Sequence, residues 1–547
     1  MRRAAVFLAT VMPALVWAQG QTTIRVDGGA SLGPFGPVFS YFGYDEPNYT
    51  YMQYGPKLVR ELARLSPSPV YIRVHHLLCT GDGTAALKWG STNAYTEDAS
   101  GRPVYDWTIV DRIFDTYIRA GAKPFVEIGF MPEALSIHPQ PYARNWPKPD
   151  DGQGWSYPPK DYARWGELVR QWVLHSIRRY GRREVESWYW EVWNEPDISY
   201  WKGTAEEYDQ LYDYAAAALK SALPSARIGG PATTSRRNPR AADYLRQFLA
   251  HCVARRMPLD FITYHAKGHP EMVDNHMRMG LAREIEDVNA GMGVIAEFPA
   301  FAKLPIVLSE ADPEGCAACS ARSDPANAYR NGTLYPAYTA AALGAMLQLA
   351  DRHHANLEGM LTWAFEFERQ PYFAGFRTLA TNGIDKPVLN VFRMLGMMPG
   401  GDRVRVESAG AVALDELMAT GVHGQPHIDA LAARSAHEIA TLIWNYHDDD
   451  MPAPPTPVSL TIAGIPVATG RVLVRHYRID EEHSNAYAAW LRMGSPEQPS
   501  AEQYARLEAA GQLELLDSPE WVSTQDGRLS LSFALPRQGI SLVEADW

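Results

Sequence analysis

The stretch Glu186-Ser-Trp-Tyr-Trp-Glu-Val-Trp-Asn-Glu-Pro-Asp197 is apolar and aromatic until it ends in Asn194-Glu195-Pro196. Its aromatic and β-branched side chains favour extended backbone. Pro196 cannot donate a hydrogen bond to a neighbouring strand, so it ends the strand. A carboxylate at the C-terminal tip of an apolar strand is typical of the mouth of a parallel barrel, where the strand ends carry the chemistry.

A second strand of the same kind is Pro305-Ile-Val-Leu-Ser-Glu310, a short apolar run that also ends in a glutamate. Either glutamate alone could be no more than a charge at the start of the following helix. Together they supply the two carboxyl groups that glycoside hydrolysis requires. One group protonates the leaving oxygen, and the other attacks the anomeric carbon or activates water beside it.

Apolar runs alternate with helical periodicity on both sides of these two strands. Besides the strand before Glu195, the predicted strands are Gly36–Gly43, Pro69–His75, Ala122–Phe130, Ala226–Pro231, Leu259–His265, Pro305–Glu310 and Leu357–Glu366. Eight strands alternating with helices predict an α/β fold, a (β/α)8 TIM barrel that forms the catalytic domain. An open doubly wound sheet would need a glycine-rich phosphate turn after the first strand, and the sequence has none.

The helical patterns between the strands include one that begins with a capping box, Thr204-Ala-Glu-Glu207. The predicted helices are Lys57–Ser66, Trp107–Ala120, Asp161–Tyr180, Thr204–Leu223, Arg240–Arg255, much of Glu271–Ala296, Tyr329–His353 and Lys386–Met398.

Beyond Gly400 the pattern changes to short runs with a period of two residues, such as Arg471–Tyr477 and Leu529–Phe533. This period predicts strands, and we expect a C-terminal β-sandwich. The segment before the barrel is a candidate for an additional strand of that sandwich. The predicted organisation is a signal peptide at 1–18, the barrel at 19–400 and the β-sandwich at 401–547.

The chain has 547 residues, 46 % of them hydrophobic, and a formal net charge of −12. This charge argues against non-specific binding of nucleic acid, which needs a basic surface. Arg2 and Arg3 precede the apolar run Ala4–Trp17, and Val16-Trp17-Ala18 offers a cleavage site before Gln19. No other run is long enough to span a membrane. We therefore expect an exported protein, periplasmic or extracellular, with no membrane partner.

Four cysteines are present: Cys79, Cys252, Cys316 and Cys319. In an oxidising compartment, Cys316-Ala-Ala-Cys319 is a candidate disulfide. A zinc site is an alternative, but it would need two further ligands nearby. Unpaired buried thiols are a third interpretation, and the sequence does not choose among the three.

Several motifs in their order along the chain resemble the family 39 glycoside hydrolases, the family of β-xylosidases and α-L-iduronidase. The similarity covers nearly all of the mature chain. The matching residues are Arg73-Val-His75, Trp193-Asn-Glu-Pro196, Leu259-Asp-Phe-Ile262, His265, Ser309-Glu-Ala-Asp-Pro313 and His476-Tyr-Arg-Ile-Asp480. Asn-Glu-Pro alone marks only a large clan of barrel glycosidases, whereas the ordered set is far more specific.

The resemblance implies a retaining mechanism with Glu195 as general acid/base and Glu310 as nucleophile. It also implies that Asn194 holds the 2-hydroxyl of the sugar. Three further residues are implied to line the bottom of the sugar pocket: Arg73, His75 and His265. A cation such as Arg73 would keep Glu310 ionised. The alternatives are that Arg73 is a structural ion-pair partner and that the histidines belong to the core.

The sugar itself is less clearly indicated. Lys267 and Arg377 resemble the iduronidase branch, where a lysine and an arginine hold the uronate carboxylate. Alternatively, Lys267 is a solvated loop charge and Arg377 pairs with Glu366 or Glu368. Ile198 departs from the iduronidase pattern, and Tyr200-Trp201-Lys202 resembles the xylosidase branch. Trp363 is a candidate stacking platform for either sugar.

We therefore expect a retaining, exo-acting β-D-xylosidase that needs no metal or cofactor and takes an oligosaccharide substrate. An exported enzyme of this family most often meets plant xylan fragments. An α-L-iduronidase-like enzyme is the alternative within the family. Two other classes stay open, a non-catalytic carbohydrate-binding protein and a metal-dependent hydrolase built on Cys316 and Cys319. The oligomeric state is not indicated.

Overall fold

The computed structural model describes residues 21–144, 146, 153–235, 238–398 and 400–547. The predicted signal peptide lies outside these residues. The strands, in chain order, are β1 Thr22–Pro34, β2 Tyr41–Tyr44, β3 Tyr71–Val74, β4 Tyr95–Glu97, β5 Pro103–Tyr105, β6 Lys123–Ile128, β7 Tyr189–Val192, β8 Arg227–Thr233, β9 Phe261–Lys267, β10 Glu271–Val273, β11 His276–Arg278, β12 Pro305–Asp312, β13 Asn356–Trp363, β14 Ala380–Thr381, β15 Ile384–Asp385, β16 Asp402–Ser408, β17 His427–Arg434, β18 Glu438–Tyr446, β19 Thr456–Ala463, β20 Thr469–Ile479, β21 Glu514–Leu515, β22 Glu520–Gln525, β23 Leu529–Leu535 and β24 Ile540–Asp546.

The helices pack mainly on the outside of a central barrel. They are α1 Gly55–Ala63, α2 Thr108–Ala120, α3 Tyr162–Tyr180, α4 Arg182–Val185, α5 Ala205–Ala222, α6 Ala241–Arg255, α7 Leu281–Ala296, α8 Leu334–His353, α9 Pro387–Met397, α10 Leu414–Thr420, α11 Ala486–Arg492 and α12 Ala501–Ala510. Short 3-10 turns lie at Pro47–Tyr51, Glu133–Leu135, Gly154–Ser156 and Pro325–Asn331. The capping box predicted at Thr204 is confirmed, because Thr204 and Glu207 each bond the other's backbone N–H.

Eight parallel strands close the barrel in the order β12-β13-β2-β3-β6-β7-β8-β9. This confirms the predicted (β/α)8 architecture. Each strand lies within a few residues of its prediction. Strand β9 is longer than predicted, since it continues past His265 to Lys267. Strand β12 likewise continues past Glu310 to Asp312.

The helix predicted within Glu271–Ala296 begins only at Leu281. The preceding residues form the hairpin β10–β11, and the helix covers most of the predicted range. Asp274 and Asn275 adopt left-handed backbone with φ of 46° and 68°. Two consecutive residues of this kind make the tight turn that joins twisted strands, and Asp and Asn tolerate it best after glycine.

The C-terminal region forms one ten-stranded sheet that includes β1 from the other end of the chain. β1 pairs antiparallel with β16 and parallel with β19. The predicted barrel boundary of 19–400 thus contains a strand that belongs to the C-terminal sheet. β22 pairs with β20 at one end of the sheet and β23 pairs with β19 at the other. The sheet contains an apolar cluster that includes Ile24, Ile443 and Leu460. This apolar interior is separate from that of the barrel.

The barrel interior changes character along its axis. Near the amino ends of the strands it is filled by an aromatic layer: Tyr41, Tyr71, Phe125, Tyr189 and Phe261. Side chains two residues apart on a strand point the same way. The next inward positions on three of these strands are Arg73, Glu127 and Glu191, all fully buried. The charged residues therefore lie directly on top of the aromatic layer.

Candidate active site

The two glutamates predicted from the strand ends lie side by side at the carboxyl end of the barrel. Glu195 follows β7 in left-handed backbone with φ of 47°, and its N–H donates to Ala232 O at 2.9 Å. Glu310 lies on β12, where the pairing with β9 shifts register between Leu308 and Glu310. Such a bulge re-aims the side chain beside it. One carboxylate oxygen of each glutamate and one ring nitrogen of His265 lie within 4.8 Å of one another.

His265 contacts both carboxylates, and Asn194 is held nearby through Arg73. The Nδ1 atom of His265 lies 3.0 Å from Glu195 Oε1 and 3.8 Å from Glu310 Oε2. Asn194 is fully buried and accepts a hydrogen bond from Arg73 Nη2 at 2.9 Å. The Nδ2 donor of Asn194 has no hydrogen-bond partner among the described residues. A buried donor left in this way is suited to a ligand hydroxyl.

Glu310 is surrounded by positively charged groups. Lys267 Nζ donates to Glu310 Oε2 at 2.8 Å, and Arg73 Nη1 lies 3.5 Å from Glu310 Oε1. His75 Nε2 lies 3.5 Å from the same oxygen. Burial alone would raise the pKa of Glu310, but the charges of His265 and Lys267 and the hydrogen bond from His75 hold it well below its usual range. Glu310 is therefore an ionised carboxylate at neutral pH.

Arg73 is held from below by two carboxylates that the sequence analysis missed. Its Nε donates to Glu191 Oε2 at 2.6 Å, and its Nη2 lies 3.2 Å from Glu127 Oε2. Burial raises the pKa of Glu127 to about 7, although His75 and Arg73 oppose the shift. The available signal was a glutamate inside each of two strands that are otherwise apolar. Such a charge is almost never buried without a partner.

His75 lies between Glu310 and a second acidic group, Asp45. Its Nδ1 atom lies 3.3 Å from Asp45 Oδ1, while its Nε2 atom faces Glu127 and Glu310. Burial would lower the pKa of His75, but Glu127 and the hydrogen bonds to Asp45 and Glu310 raise it to about 9. The imidazole is thus a cation at neutral pH and adds to the positive environment of Glu310.

Lys267 and Arg377 belong to one row of alternating charges. From Lys267, the row continues to Asp312 Oδ2 at 3.3 Å and from there to Arg377 Nη1 at 2.6 Å. Arg377 Nε lies 2.8 Å from Glu314 Oε1, which Arg330 Nη2 approaches to 2.9 Å. Lys267 is not a solvated loop charge, since its side chain is only 5 % exposed. Arg377 pairs with these two acids, and the interpretation that it pairs with Glu366 or Glu368 was wrong.

The row ends beside a disulfide between Cys316 and Cys319. Arg330 donates to the carbonyl oxygens of both cysteines, at 3.1 Å for Cys316 and 2.6 Å for Cys319. The disulfide interpretation is therefore the one the structure adopts, and the two sulfurs are not free to bind zinc. Cys79 and Cys252 are buried free thiols. Within the described ranges, the group with metal-ligand spacing is Glu195, His265 and Glu310.

Trp363 lies beneath the site with none of its surface exposed. Its Nε1 donates to Asp45 Oδ1 at 2.8 Å, and its ring centroid lies 4.3 Å from that of His75. The guanidinium carbon of Arg73 lies 5.3 Å from the Trp363 ring centroid. In this structure Trp363 supports the charged residues, and a role as a stacking platform for sugar stays a prediction.

Comparisons with known proteins identify the family of this chain. The family model of glycosyl hydrolases family 39 matches residues 61–518. The chain belongs to this family. It is 28 % identical to a β-xylosidase of Geobacillus stearothermophilus over 87 % of this chain and 86 % of that protein. It is 25 % identical to the α-L-iduronidase of Mus musculus over 98 % of this chain and 83 % of that protein.

The fold of this family 39 chain is also similar to a crystal structure of a monomeric β-xylosidase from Caulobacter crescentus CB15. The TM-score is 0.75 at 24 % identity, and the match covers 96 % of this chain and 99 % of that one. Membership of family 39 makes the chain a glycosidase whose substrate is a carbohydrate. None of the helices in the described ranges has the length and apolar character of a membrane span.

Proposed function

We propose that this family 39 glycosidase is a retaining exo-β-D-xylosidase that releases terminal xylose from xylo-oligosaccharides. The observation that carries the proposal is the separation of Glu195 and Glu310, one oxygen of each lying within 4.8 Å of the other. Retaining enzymes place their two carboxyl groups about 5–5.5 Å apart, whereas inverting enzymes leave about 6.5–9.5 Å for a water molecule. The measured spacing favours direct attack by a carboxylate.

In the first step, the ionised Glu310 attacks the anomeric carbon while Glu195 donates its proton to the leaving oxygen. In the second step, Glu195 takes a proton from water, the water oxygen attacks the anomeric carbon, and Glu310 leaves as a carboxylate. Lys267, His75 and Arg73 stabilise the charge of Glu310 before the first step and again after the second. The free Nδ2 donor of Asn194 binds the 2-hydroxyl.

The exposures of the two glutamates support these separate roles. The side chain of Glu195 is 17 % exposed and that of Glu310 is 6 % exposed. The leaving group departs toward solvent, where the more open acid can meet it, and the nucleophile needs a dry environment.

A neutral sugar such as xylose is favoured because the two cations that could bind a uronate carboxylate are already paired within the protein. Lys267 is paired with Glu310 and Asp312, and the fully buried Arg377 is paired with Asp312 and Glu314. A substrate carboxylate would have to compete with the chain's own carboxylates for these cations. Breaking a buried ion pair to bind an anion carries a large desolvation cost.

An α-L-iduronidase-like activity is the second candidate. It is favoured by the inward position of Lys267 at the end of β9 and by the similarity to mouse α-L-iduronidase over 98 % of the chain. In this case the uronate carboxylate would replace Asp312 as a partner of Lys267.

The deciding experiment compares nitrophenyl β-D-xyloside with an α-L-iduronide of a fluorescent phenol. We expect turnover of the xyloside alone. Turnover of the iduronide that falls sharply in Lys267→Met, with Lys160→Met as an exposed control, would instead assign the uronidase activity. If neither glycoside is cleaved, the assignment of the sugar is wrong.

The roles of the two glutamates have their own test. In Glu310→Gly, azide can attack the anomeric carbon in place of the missing nucleophile, so we expect restored turnover and an α-xylosyl azide. In Glu195→Gly, azide attacks the glycosyl-enzyme, so we expect the β-xylosyl azide. The opposite assignment of products would reverse the roles, and inversion of configuration by the parent enzyme would refute the retaining mechanism.

We also propose that the chain is exported, on the strength of Arg2, Arg3 and the apolar run Ala4–Trp17. N-terminal sequencing of the protein from a secreting host should begin at Gln19. A mature protein that keeps Met1 would contradict export by this signal.

A further inference from the structure

A second charged pair, Asp45 and Lys88, lies on the opposite side of His75 from Glu310. Asp45 follows β2, and Lys88 comes from the long loop between β3 and β4. The side chains are only 6 % and 7 % exposed, and Lys88 Nζ donates to Asp45 Oδ2. A lysine is almost never buried to this degree unless its charge is paired.

The exposures sort the residues around the nucleophile into two groups. Arg73, Asp312 and Arg377 are at most 1 % exposed and lie behind the surface. The residues that keep a small opening to solvent are Asp45, His75, Lys88, Glu195, Lys267 and Glu310, whose side chains are between 5 % and 17 % exposed. Asp45 and Lys88 therefore retain a small access to solvent, as the two glutamates do.

Asp45 is fixed in place from three directions. His75 Nδ1 and Trp363 Nε1 both contact its Oδ1 atom, at 3.3 Å and 2.8 Å, and Lys88 contacts Oδ2. Burial would raise the pKa of Asp45, but Lys88 and His75 hold it far below its usual range. The carboxylate is therefore ionised, and one lone pair, on Oδ2, remains to accept from a ligand.

Lys88 is fixed less completely, although the loop holds it in a costly conformation. Its backbone is left-handed, with φ of 58°, as is that of Glu195. Strain of this kind at a non-glycine residue clusters at binding and catalytic sites. An ammonium group has three N–H donors, and the contact with Asp45 uses one of them. A ligand oxygen in the pocket can accept another.

The position of the pair relative to Glu310 suggests what that ligand group is. His75 spans the gap, since its Nδ1 faces Asp45 and its Nε2 faces Glu310. An imidazole and a pyranose are of similar width. A sugar with its anomeric carbon at Glu310 thus presents the hydroxyls on the far side of its ring to Asp45 and Lys88.

We propose that Asp45 and Lys88 bind the adjacent 3- and 4-hydroxyls of the terminal sugar and so determine specificity. Lys88 donates to one hydroxyl oxygen, and Asp45 accepts from the neighbouring hydroxyl. The substrate class is a terminal pyranose with both hydroxyls free, and sugars substituted at either position are excluded. This inference rests on the proposed glycosidase function and extends it.

The test combines substrate and side-chain deletions. The substrates are nitrophenyl β-D-xyloside and its 3-deoxy and 4-deoxy analogues, or the same series of the iduronide if that is the glycoside cleaved. The variants are Lys88→Met, Lys88→Gln and Asp45→Asn. The control is Lys57→Met, which removes a lysine that pairs with Glu508 on the outside of the protein.

We expect the parent enzyme to disfavour each deoxy analogue by at least about 10-fold in kcat/KM, the effect of losing one hydrogen bond to a charged group. Lys88→Met should lose a factor of about 10–100 on the full substrate. One deoxy analogue lacks the hydroxyl that Lys88 binds. On that analogue, kcat/KM of Lys88→Met should lie within about 2-fold of the value for the parent enzyme, because the two deletions remove the same contact. Lys57→Met should be unchanged on all three substrates.

Equal losses on all three substrates would overturn the proposal, because they would mean that the pair acts only through structure. Indifference of the parent enzyme to both deoxy sugars would also overturn it, even if every variant failed to fold. Failure of the proposed function is separate, since it appears as no turnover of the full glycoside by the parent enzyme.

Discussion

The lower and upper halves of the barrel interior are built on the same strands but from opposite residue types. The lower half is the aromatic layer, in which Phe125, Tyr189 and Phe261 have ring centroids 4.9–5.7 Å apart. The upper half begins two residues further along, at Glu127 on β6 and Glu191 on β7, and ends at the catalytic glutamates. The aromatic residues of the core and the charged residues of the site are therefore only two positions apart on these strands.

This difference indicates that the aromatic layer stabilises the fold, whereas the charged layer serves the chemistry at a cost in stability. The aromatic layer removes apolar area from water and gains ring–ring contacts. The charged layer pays a desolvation cost for each buried ion, which mutual attraction only partly offsets. We therefore expect substitutions in the lower half to change stability and those in the upper half to change catalysis.

The largest effect is expected for Glu310→Gln. Loss of the nucleophile should lower kcat for the nitrophenyl glycoside by a factor on the order of 10⁵. The free energy of unfolding in urea should fall as well, because a neutral side chain leaves the buried cations Lys267 and Arg73 with one partner fewer. A variant that keeps most of its activity would refute the mechanism, and an unchanged free energy of unfolding would mean that these cations do not depend on Glu310.

Phe261→Ala should have the next largest effect, and this effect should be on stability rather than on kcat. Removing this ring from the aromatic layer should lower the free energy of unfolding by about 3–5 kcal/mol, because it leaves a cavity in a packed core. The kcat of the folded protein should change by less than about 3-fold. Trp521→Ala is the control. Trp521 is 61 % exposed on the C-terminal sheet, so its removal should lower the free energy of unfolding only slightly. A kcat loss beyond 10-fold would show that the two halves are not separable.

Glu191→Gln tests the boundary between the halves. It weakens the 2.6 Å contact that holds Arg73 under Glu310 and Asn194. We expect kcat/KM to fall about 10–100-fold, the equivalent of about 1.5–3 kcal/mol for a hydrogen bond between charged groups. Glu297→Gln, which removes an exposed pair with Arg246, should have almost no effect. An equal effect of the two changes would mean that burial of the Arg73 pair is unimportant.

The difference in the pH dependence of stability between the parent protein and His75→Gln should report the charged half. The pKa of His75 is raised from 6.5 to about 9 in the folded protein. Its contribution is therefore complete below pH 6.5 and is lost as the pH rises through 9, with a size on the order of 3 kcal/mol. Urea unfolding from pH 6 to pH 10 should show this loss in the parent protein and a flatter curve in His75→Gln. Identical curves for the two proteins would show that His75 is not a buried cation.

The smallest effect is expected for Asp449→Asn, which asks how far the charged half depends on support from outside the barrel. Asp449 follows β18 and holds Arg278 in the hairpin beyond β9, with contacts of 2.5 Å and 3.0 Å. We expect a KM increase of about 2–5-fold and a stability loss of about 1 kcal/mol, because the pair is partly exposed. Asp415→Asn, at an exposed pair with Arg352, should change neither. Equal KM values for the parent enzyme and Asp449→Asn would mean that the site does not depend on support from outside the barrel.

Much of the barrel could be predicted from the sequence, because each of its strands is an apolar run bounded by proline, glycine or polar residues. The strand ends also led directly to Glu195 and Glu310. Lys267 and Asp312 were harder, since the predicted strands ended two residues too early, at His265 and Glu310. Those two extra residues place both side chains on the same face as the catalytic groups.

The remaining contacts of the site depend on information that no local pattern carries. Glu127 and Glu191 meet Arg73 only because β3, β6 and β7 are neighbours in the barrel sheet. Lys88 lies in a long loop without periodicity, so nothing in its neighbours links it to Asp45. Which cation faces Glu310 and which stays behind it depends on the bulge in β12 and on the depth of each side chain.

The position of β1 has a consequence for the order in which the protein is made. Residues 22–34 leave the ribosome before any residue of the barrel, yet their hydrogen-bonding partners lie in β16 and β19, at residues 402–463. Both edges of β1 therefore stay unpaired until the barrel sequence has been synthesised. Since domains generally fold as units during synthesis, the barrel can assemble first, and the first strand made joins its sheet among the last.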